Sequence, residues 1–174
     1  MKLKSKWPVR RFFAFLGALY LFCAVTPLLF AGSGTAKSES GFRIYDTATE
    51  TVHTVNDLDF LCGALPCEMA ASAPDEALKA QIIAIHTLYD RKRRENTGKD
   101  YDFTCDSAEK SIYTTDAGLT DEEQNRVRAL CLSVLDKEIY FENEPINACY
   151  FAISAGCTQP FENVWPEKSY PYLT

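Results

Sequence analysis

The stretch 65-LPCEMAAS-72 sets a carboxylate, Glu68, among small and apolar neighbours. Pro66 restricts the backbone beside it, and Cys67, Met69, Ala70 and Ala71 surround it with apolar atoms. Such a setting strips water from a carboxyl group, disfavours the charged form and predicts a raised pKa. An acid that keeps its proton near neutral pH is able to protonate a leaving oxygen. The same residue also reads as a solvent-facing acid at a helix end, and its type and position leave both readings open.

The thiols are the other reactive groups. Six cysteines lie beyond residue 31: Cys62, Cys67, Cys105, Cys131, Cys149 and Cys157. An even number suits disulfide pairing in an oxidising compartment, and no pairing is assigned from spacing. Metal chemistry is the weaker reading. There is no CxxC pair, His53 and His86 are the only histidines, and Cys62 and Cys67 do not have a common zinc-ligand spacing. No metal and no cofactor is expected.

These residues need elements to position them. The segment 42-FRIYDTATETVHTV-55 alternates around a Thr-Ala-Thr-Glu turn and predicts a β-hairpin, with Phe42, Ile44, Val52 and Val55 facing inward. Asn56 or Asp57 caps a helix that carries Leu58, Leu61 and Leu65 on one face, and Pro66 should end or bend it. Ser72 and Pro74-Asp75-Glu76 mark a second helix start, followed by Leu78, Ile82, Ile85 and Tyr89 at helical spacing. The run 91-RKRR-94 at its far end reads as a solvated basic terminus suited to the helix dipole. Residues 96–118 are loop-rich, with extended pieces near Phe103 and Ile112-Tyr113. Thr120 and Glu123 form a capping box for a third helix with Val127, Leu130, Val134 and Leu135 inward. Residues 138–154 read as two strands around Asn143-Glu144-Pro145. The order predicts an α+β domain over 42–174.

The N-terminus is a separate object. Lys2, Lys4, Lys6, Arg10 and Arg11 fall in a basic segment, 1–11, expected on the cytoplasmic side. The uncharged run 12–31 is long enough to cross a bilayer, and 32–41 reads as a polar linker. Two readings stand: a retained single-pass transmembrane helix, or a signal segment cut near Ala36, which would release the domain. Either places 42–174 outside the cytoplasm. Removing the five cations from the formal net charge of −6 leaves −11 on the remainder. Such an acidic domain is a poor partner for nucleic acid.

Two blocks carry a family resemblance. The first is 63-GALPCEMAASAPDEALKAQIIAIHT-87, with its Glu-Met pair, Ala-Ser, Glu-Ala-Leu-Lys-Ala-Gln and Thr-bearing helix. The second is 145-PINACYFAISAGCTQPFENVWPEKSYPYL-173, with a Ser/Gly turn, Asn-Val-Trp and Pro-Tyr-Leu. Between them stand Cys105-Asp106-Ser107 and Tyr113. In this order they resemble the stage II sporulation protein D family, which includes the N-terminal domain of an amidase enhancer.

The resemblance implies a membrane-anchored lytic transglycosylase acting on peptidoglycan glycan strands during engulfment, with other anchored engulfment proteins. Glu68 falls on the family's catalytic acid. Gln81 is placed to support it from the next helix, and Ser154 and Thr158 are candidate hydroxyl contacts to sugar. An exposed glutamine and ordinary turn chemistry are the plainer roles of these three. The chain departs from the family pattern at Phe151, at Cys157-Thr158-Gln159 and at Lys110-Ser111. The family fold also continues past Pro-Tyr-Leu, so an incomplete C-terminus is expected. The rival functional readings are a non-catalytic glycan-binding enhancer of a cell-wall amidase and an inactive truncated copy.

Overall fold

The computed structural model describes Phe13 and residues 41–173, apart from Ala155 and Lys168. The expected anchor at 12–31, apart from Phe13, and most of the linker lie outside the described residues. No helix among the described residues is long and apolar enough to cross a membrane.

The fold begins with the predicted hairpin. Strand β1 (Phe42–Asp46) pairs antiparallel with β2 (Thr51–Val55), and Phe42 lies opposite Val55. The third strand, β3 (Phe103–Cys105), lies parallel to β1 on its other edge, giving the order β2-β1-β3. Phe42, Ile44, Phe103 and Cys105 point into the core. Val52 does not: it is 47% exposed and sits opposite Tyr45. Positions three apart on a strand face opposite sides, so Val52 and Val55 are unable to share the inner face.

Helix α1 (Asp57–Glu68) is capped by Asn56, whose side chain accepts from the Asp59 amide at 2.9 Å. Leu61 and Leu65 are fully buried, and Leu58 packs partly against the core. Pro66 lies inside the last turn, where the helix tolerates it, and α1 stops two residues later. Helix α2 (Asp75–Glu95) starts at Pro74 with no side-chain cap, so Ser72 does not serve as one. Its Leu78, Ile82, Ile85 and Tyr89 are all buried, as their spacing requires. Helix α3 (Asp121–Val134) has the complete Thr120–Glu123 capping box, and Val127, Leu130 and Val134 are buried.

The basic run on α2 is not a solvated terminus. Arg93 bonds Asp57 at 3.0 Å and also pairs with Asp90, while its guanidinium lies over the Phe42 ring. Arg94 bonds Asp90 at 2.6 Å. Arg91 donates to the Pro145 carbonyl at 2.8 Å. The dipole argument considered α2 alone, but the start of α1 and residues 138–145 cover its last turns. His86 is buried in the same region, with Nε2 3.8 Å from Asp57 and 3.6 Å from Glu138.

Residues 138–154 form a much shorter hairpin than expected. Strands β4 (Tyr140–Phe141) and β5 (Glu144–Pro145) pair around Glu142 and Asn143, both at positive φ. Two successive left-handed residues make the tight turn that suits a twisted hairpin. Past Pro145 the Ile146 amide still donates to the Ile139 carbonyl at 3.0 Å, and residues 146–154 take no regular structure. A four-residue helix, α4 (Phe161–Val164), begins the tail. The tail folds back through Tyr172, whose hydroxyl accepts from the Asn147 amide at 2.9 Å. No strand forms at Ile112-Tyr113. The α+β class holds throughout the described domain.

Asp46 closes β1 and makes a pH prediction. It is 3% exposed and accepts from the Ser107 hydroxyl at 2.6 Å, the Ser107 amide at 3.0 Å, the Ala48 amide at 3.1 Å and the Thr49 hydroxyl at 3.0 Å. The Ser107 bonds, led by its hydroxyl, hold the carboxyl down from 3.8 to about 2 against the opposing effect of burial. A depressed folded pKa gives stability that is present above the unfolded value and drains as pH falls through the folded one. Thermal midpoints should therefore fall between pH 3.8 and about 2. In Asp46→Asn that part of the acid limb should be missing, as a pH series of melts would show.

Candidate active site

Glu68 is the last residue of α1, immediately before the chain turns extended at Met69. The apolar wrapping expected around it is absent. Glu68 is exposed, while Cys67 and Met69 turn partly inward and Ala71 is buried. The segment after Glu68 is held by a residue far away in sequence. Arg126 of α3 donates to the Ala73 carbonyl at 2.8 Å and to Asp75 at 3.0 Å, and it also bonds the Ala71 carbonyl. This clamp fixes the turn between α1 and α2 and so fixes where the carboxylate stands.

Two tyrosines feel the charge of that carboxylate. Burial first, and then the charge of Glu68, push the Tyr89 and Tyr150 phenols upward. A side-chain hydrogen bond with Glu68 adds to the effect at Tyr150. Both phenols keep their protons at neutral pH, and Tyr150 stands near enough to feel the charge of Glu68. Tyr150 also lines a cavity of about 590 Å³ that includes Ser154, Thr158, Phe151, Trp165 and Gln159. The acid and the hydroxyl pair thus come from different ends of the sequence and are linked through one tyrosine.

Ser154 and Thr158 are exposed and share this cavity. The Ser154 hydroxyl accepts from the Gly156 amide at 3.4 Å, so it also takes part in the turn. Gln81 behaves differently. It is half-buried, its Nε2 is buried without a partner, and it makes no donation to Glu68. Phe151, one of the expected departures from the family pattern, is 62% exposed and lines the cavity. Among the described residues no group of three or more His, Cys, Asp and Glu side chains is gathered to hold a metal.

The middle motif does structural work. Cys105 ends β3 in the core, Asp106 caps the amides of Ala108 and Glu109, and Ser107 binds Asp46. Tyr113 stacks on Phe60 at 5.9 Å. The loop carrying it lies directly on α1 at Gly63, whose carbonyl accepts from the Thr114 amide at 3.2 Å. A Cβ at Gly63 would stand 2.4 Å from the Thr114 carbonyl oxygen and 2.5 Å from the Tyr113 ring. Gly63→Ala should therefore destabilise the domain by about 1–3 kcal/mol despite alanine's better helix propensity. Urea unfolding of the two proteins measures this.

Tyr150 and Arg126 escaped sequence reasoning. Arg126 reads as one more cation on an exposed helix face, and its targets are backbone carbonyls. Tyr150 lies inside the second resemblance block, but nothing local marks it as a tyrosine that feels the charge of Glu68.

With this geometry in place, comparison with known proteins gives a family. A model described as stage II sporulation protein matches residues 45–134, which is just over half of the chain. The chain belongs to that family. It is 27% identical over 153 residues to stage II sporulation protein D of Bacillus subtilis (strain 168), covering 82% of this chain and 44% of that protein. It is 26% identical over 140 residues to stage II sporulation protein D of Bacillus amyloliquefaciens, covering 75% and 40%. The chain spans less than half the length of these curated relatives.

Proposed function

We propose that the chain is a lytic transglycosylase of the bacterial cell wall, acting outside the membrane on peptidoglycan glycan strands with Glu68 as acid and base. The observation that carries this reading is that the charge of Glu68 acts on Tyr150, which lines the cavity that also holds Ser154 and Thr158. An exposed carboxylate suits a polymeric substrate. The strand covers it on binding and supplies the desolvation that the free protein lacks.

The Glu68 proton passes to the glycosidic oxygen as its bond to the anomeric carbon breaks. The hydroxymethyl oxygen of the muramic ring then bonds that carbon, and its proton goes to the Glu68 carboxylate. An anhydro sugar forms and no water is consumed. One carboxylate suffices, where most glycoside hydrolases use two. Tyr150, held protonated, steadies the carboxylate between the two transfers.

A second reading rests on the exposed aromatics around the same cavity. Phe151 is 62% and Trp165 53% exposed, and such rings stack on sugar faces. A non-catalytic glycan-binding enhancer of a cell-wall amidase would use them without Glu68. The test is to incubate the purified full chain with peptide-free glycan strands and analyse the products by mass. Anhydro-muramyl ends support the transglycosylase. Strand binding without cleavage, together with stimulation of an added amidase, supports the enhancer. Membrane anchoring through 12–31 and partnership with other anchored engulfment proteins belong to the same proposal.

A further inference from the structure

Arg126 belongs to α3, but its guanidinium is directed at the connection between α1 and α2. Its Nε donates to Asp75 at 3.0 Å. Its Nη2 donates to the Ala73 carbonyl at 2.8 Å and also pairs with Asp75. Its Nη1 bonds the Ala71 carbonyl. One side chain thus holds residues 71, 73 and 75 together.

The connection 69–74 depends on that clamp. Within it, the Ala73 amide donates to the Ala70 carbonyl at 3.0 Å. At its far end α2 begins at Pro74 with no side-chain cap. At its near end Pro66 lies in the last turn of α1 and has no N–H to give. The turn that ends at Glu68 therefore lacks one of its own hydrogen bonds. The Glu68 side chain itself is exposed, so its position follows the backbone that carries it.

We infer that Arg126 is a positioning residue for Glu68: by tying the connection 69–74 to α3, it sets where the carboxyl group stands for both proton transfers. The inference rests on the transglycosylase reading of Glu68. It also assigns the reason for arginine at this position. A guanidinium presents N–H groups on three separated nitrogens in a rigid planar fork, and all three nitrogens donate here. Lysine carries the same charge on a single nitrogen and does not reproduce that spread of donors. The bonds of Arg126 go to residues 71, 73 and 75, whereas the cavity proposed for glycan is lined by residues between Cys149 and Leu173. Turnover and strand binding should therefore separate.

The test is Arg126→Lys in the full chain, with kinetics on peptide-free glycan strands and amide hydrogen exchange measured in parallel. The expected result is a kcat per folded molecule lower by roughly 10²-fold, with KM within about twofold of the parent. Exchange should quicken at the Met69 and Ala73 amides, which bond the Leu65 and Ala70 carbonyls in the parent. In Arg126→Ala, added ethylguanidinium should restore part of the lost kcat, and propylammonium should not. Parental kcat per folded molecule in Arg126→Lys would overturn the proposal. So would a change confined to KM, or equal rescue by the two cations. Normalising to folded protein keeps the result decisive where a variant folds poorly. Absence of anhydro-muramyl ends from the parent would remove the reading of Glu68 instead, and exchange at Met69 and Ala73 would still decide whether Arg126 holds the connection.

Discussion

Glu68→Gln should abolish anhydro-muramyl product from peptide-free glycan strands, lowering kcat by roughly 10²–10⁴-fold. Glutamine matches the carboxylate in shape, and it neither gives a proton to the glycosidic oxygen nor takes one from the attacking hydroxyl. Both half-steps are lost together. Because the side chain is exposed at the end of α1, the fold should be barely affected, with stability within about 0.5 kcal/mol of the parent. Strand binding through Phe151, Trp165 and the hydroxyl pair should survive. The combination of lost turnover, retained binding and unchanged melting separates a catalytic role from a structural one. Product formation at the parental rate would remove Glu68 from the mechanism.

Phe60→Ala should be the most damaging change to the fold. Phe60 is fully buried, with ring centroids of Phe42 at 4.6 Å, Tyr89 at 5.1 Å, Phe103 at 5.4 Å and Tyr113 at 5.9 Å. It joins β1, β3, α2 and the loop at 113 to α1. Truncating a buried Phe to Ala costs about 3–5 kcal/mol through lost burial and the cavity left behind. A domain this size has a total stability of about 5–15 kcal/mol, so a large part of it disappears. Urea unfolding should show the midpoint falling steeply, with Phe60→Leu retaining most of the lost stability. A shift below about 1 kcal/mol for the alanine variant would contradict the central place given to this ring.

The parts legible in the sequence are those set by local periodicity and capping. The first hairpin, the Asn56 cap, the buried face of α2 and the Thr120–Glu123 box are each encoded within about a dozen residues. Errors arise where a second element decides. Val52 was assigned inward on hydrophobicity, but pairing with outward-facing Tyr45 turns it to solvent. The run 91-RKRR-94 looked solvated because Asp57 and the Pro145 carbonyl come from other elements. Residues 146–154 have strand-like composition but no partner strand beyond Pro145. Ser72 loses the capping role because α2 begins at Pro74.

The site shows the same division. Glu68 stood out by sequence context, and the family resemblance added Ser154 and Thr158, which share one cavity. The environment of Glu68 was misjudged because apolar neighbours in sequence are not neighbours in space at a helix end. Cys67, Met69 and Ala71 turn inward and leave the carboxylate outside. Tyr150, which feels its charge, and Arg126, which clamps the turn after it, lie 82 and 58 residues further along the chain. Gln81 sits on α2 with its amide nitrogen buried and without a hydrogen-bond partner.

The most direct measurement of the central claim is digestion of peptide-free glycan strands by the full chain in heavy-oxygen water, with mass analysis of the new ends. Ring closure by the substrate's own hydroxyl predicts anhydro-muramyl ends that carry no heavy oxygen, formed by the parent and not by Glu68→Gln. Reducing ends labelled with heavy oxygen would show that water is the nucleophile and would contradict the single-carboxylate mechanism.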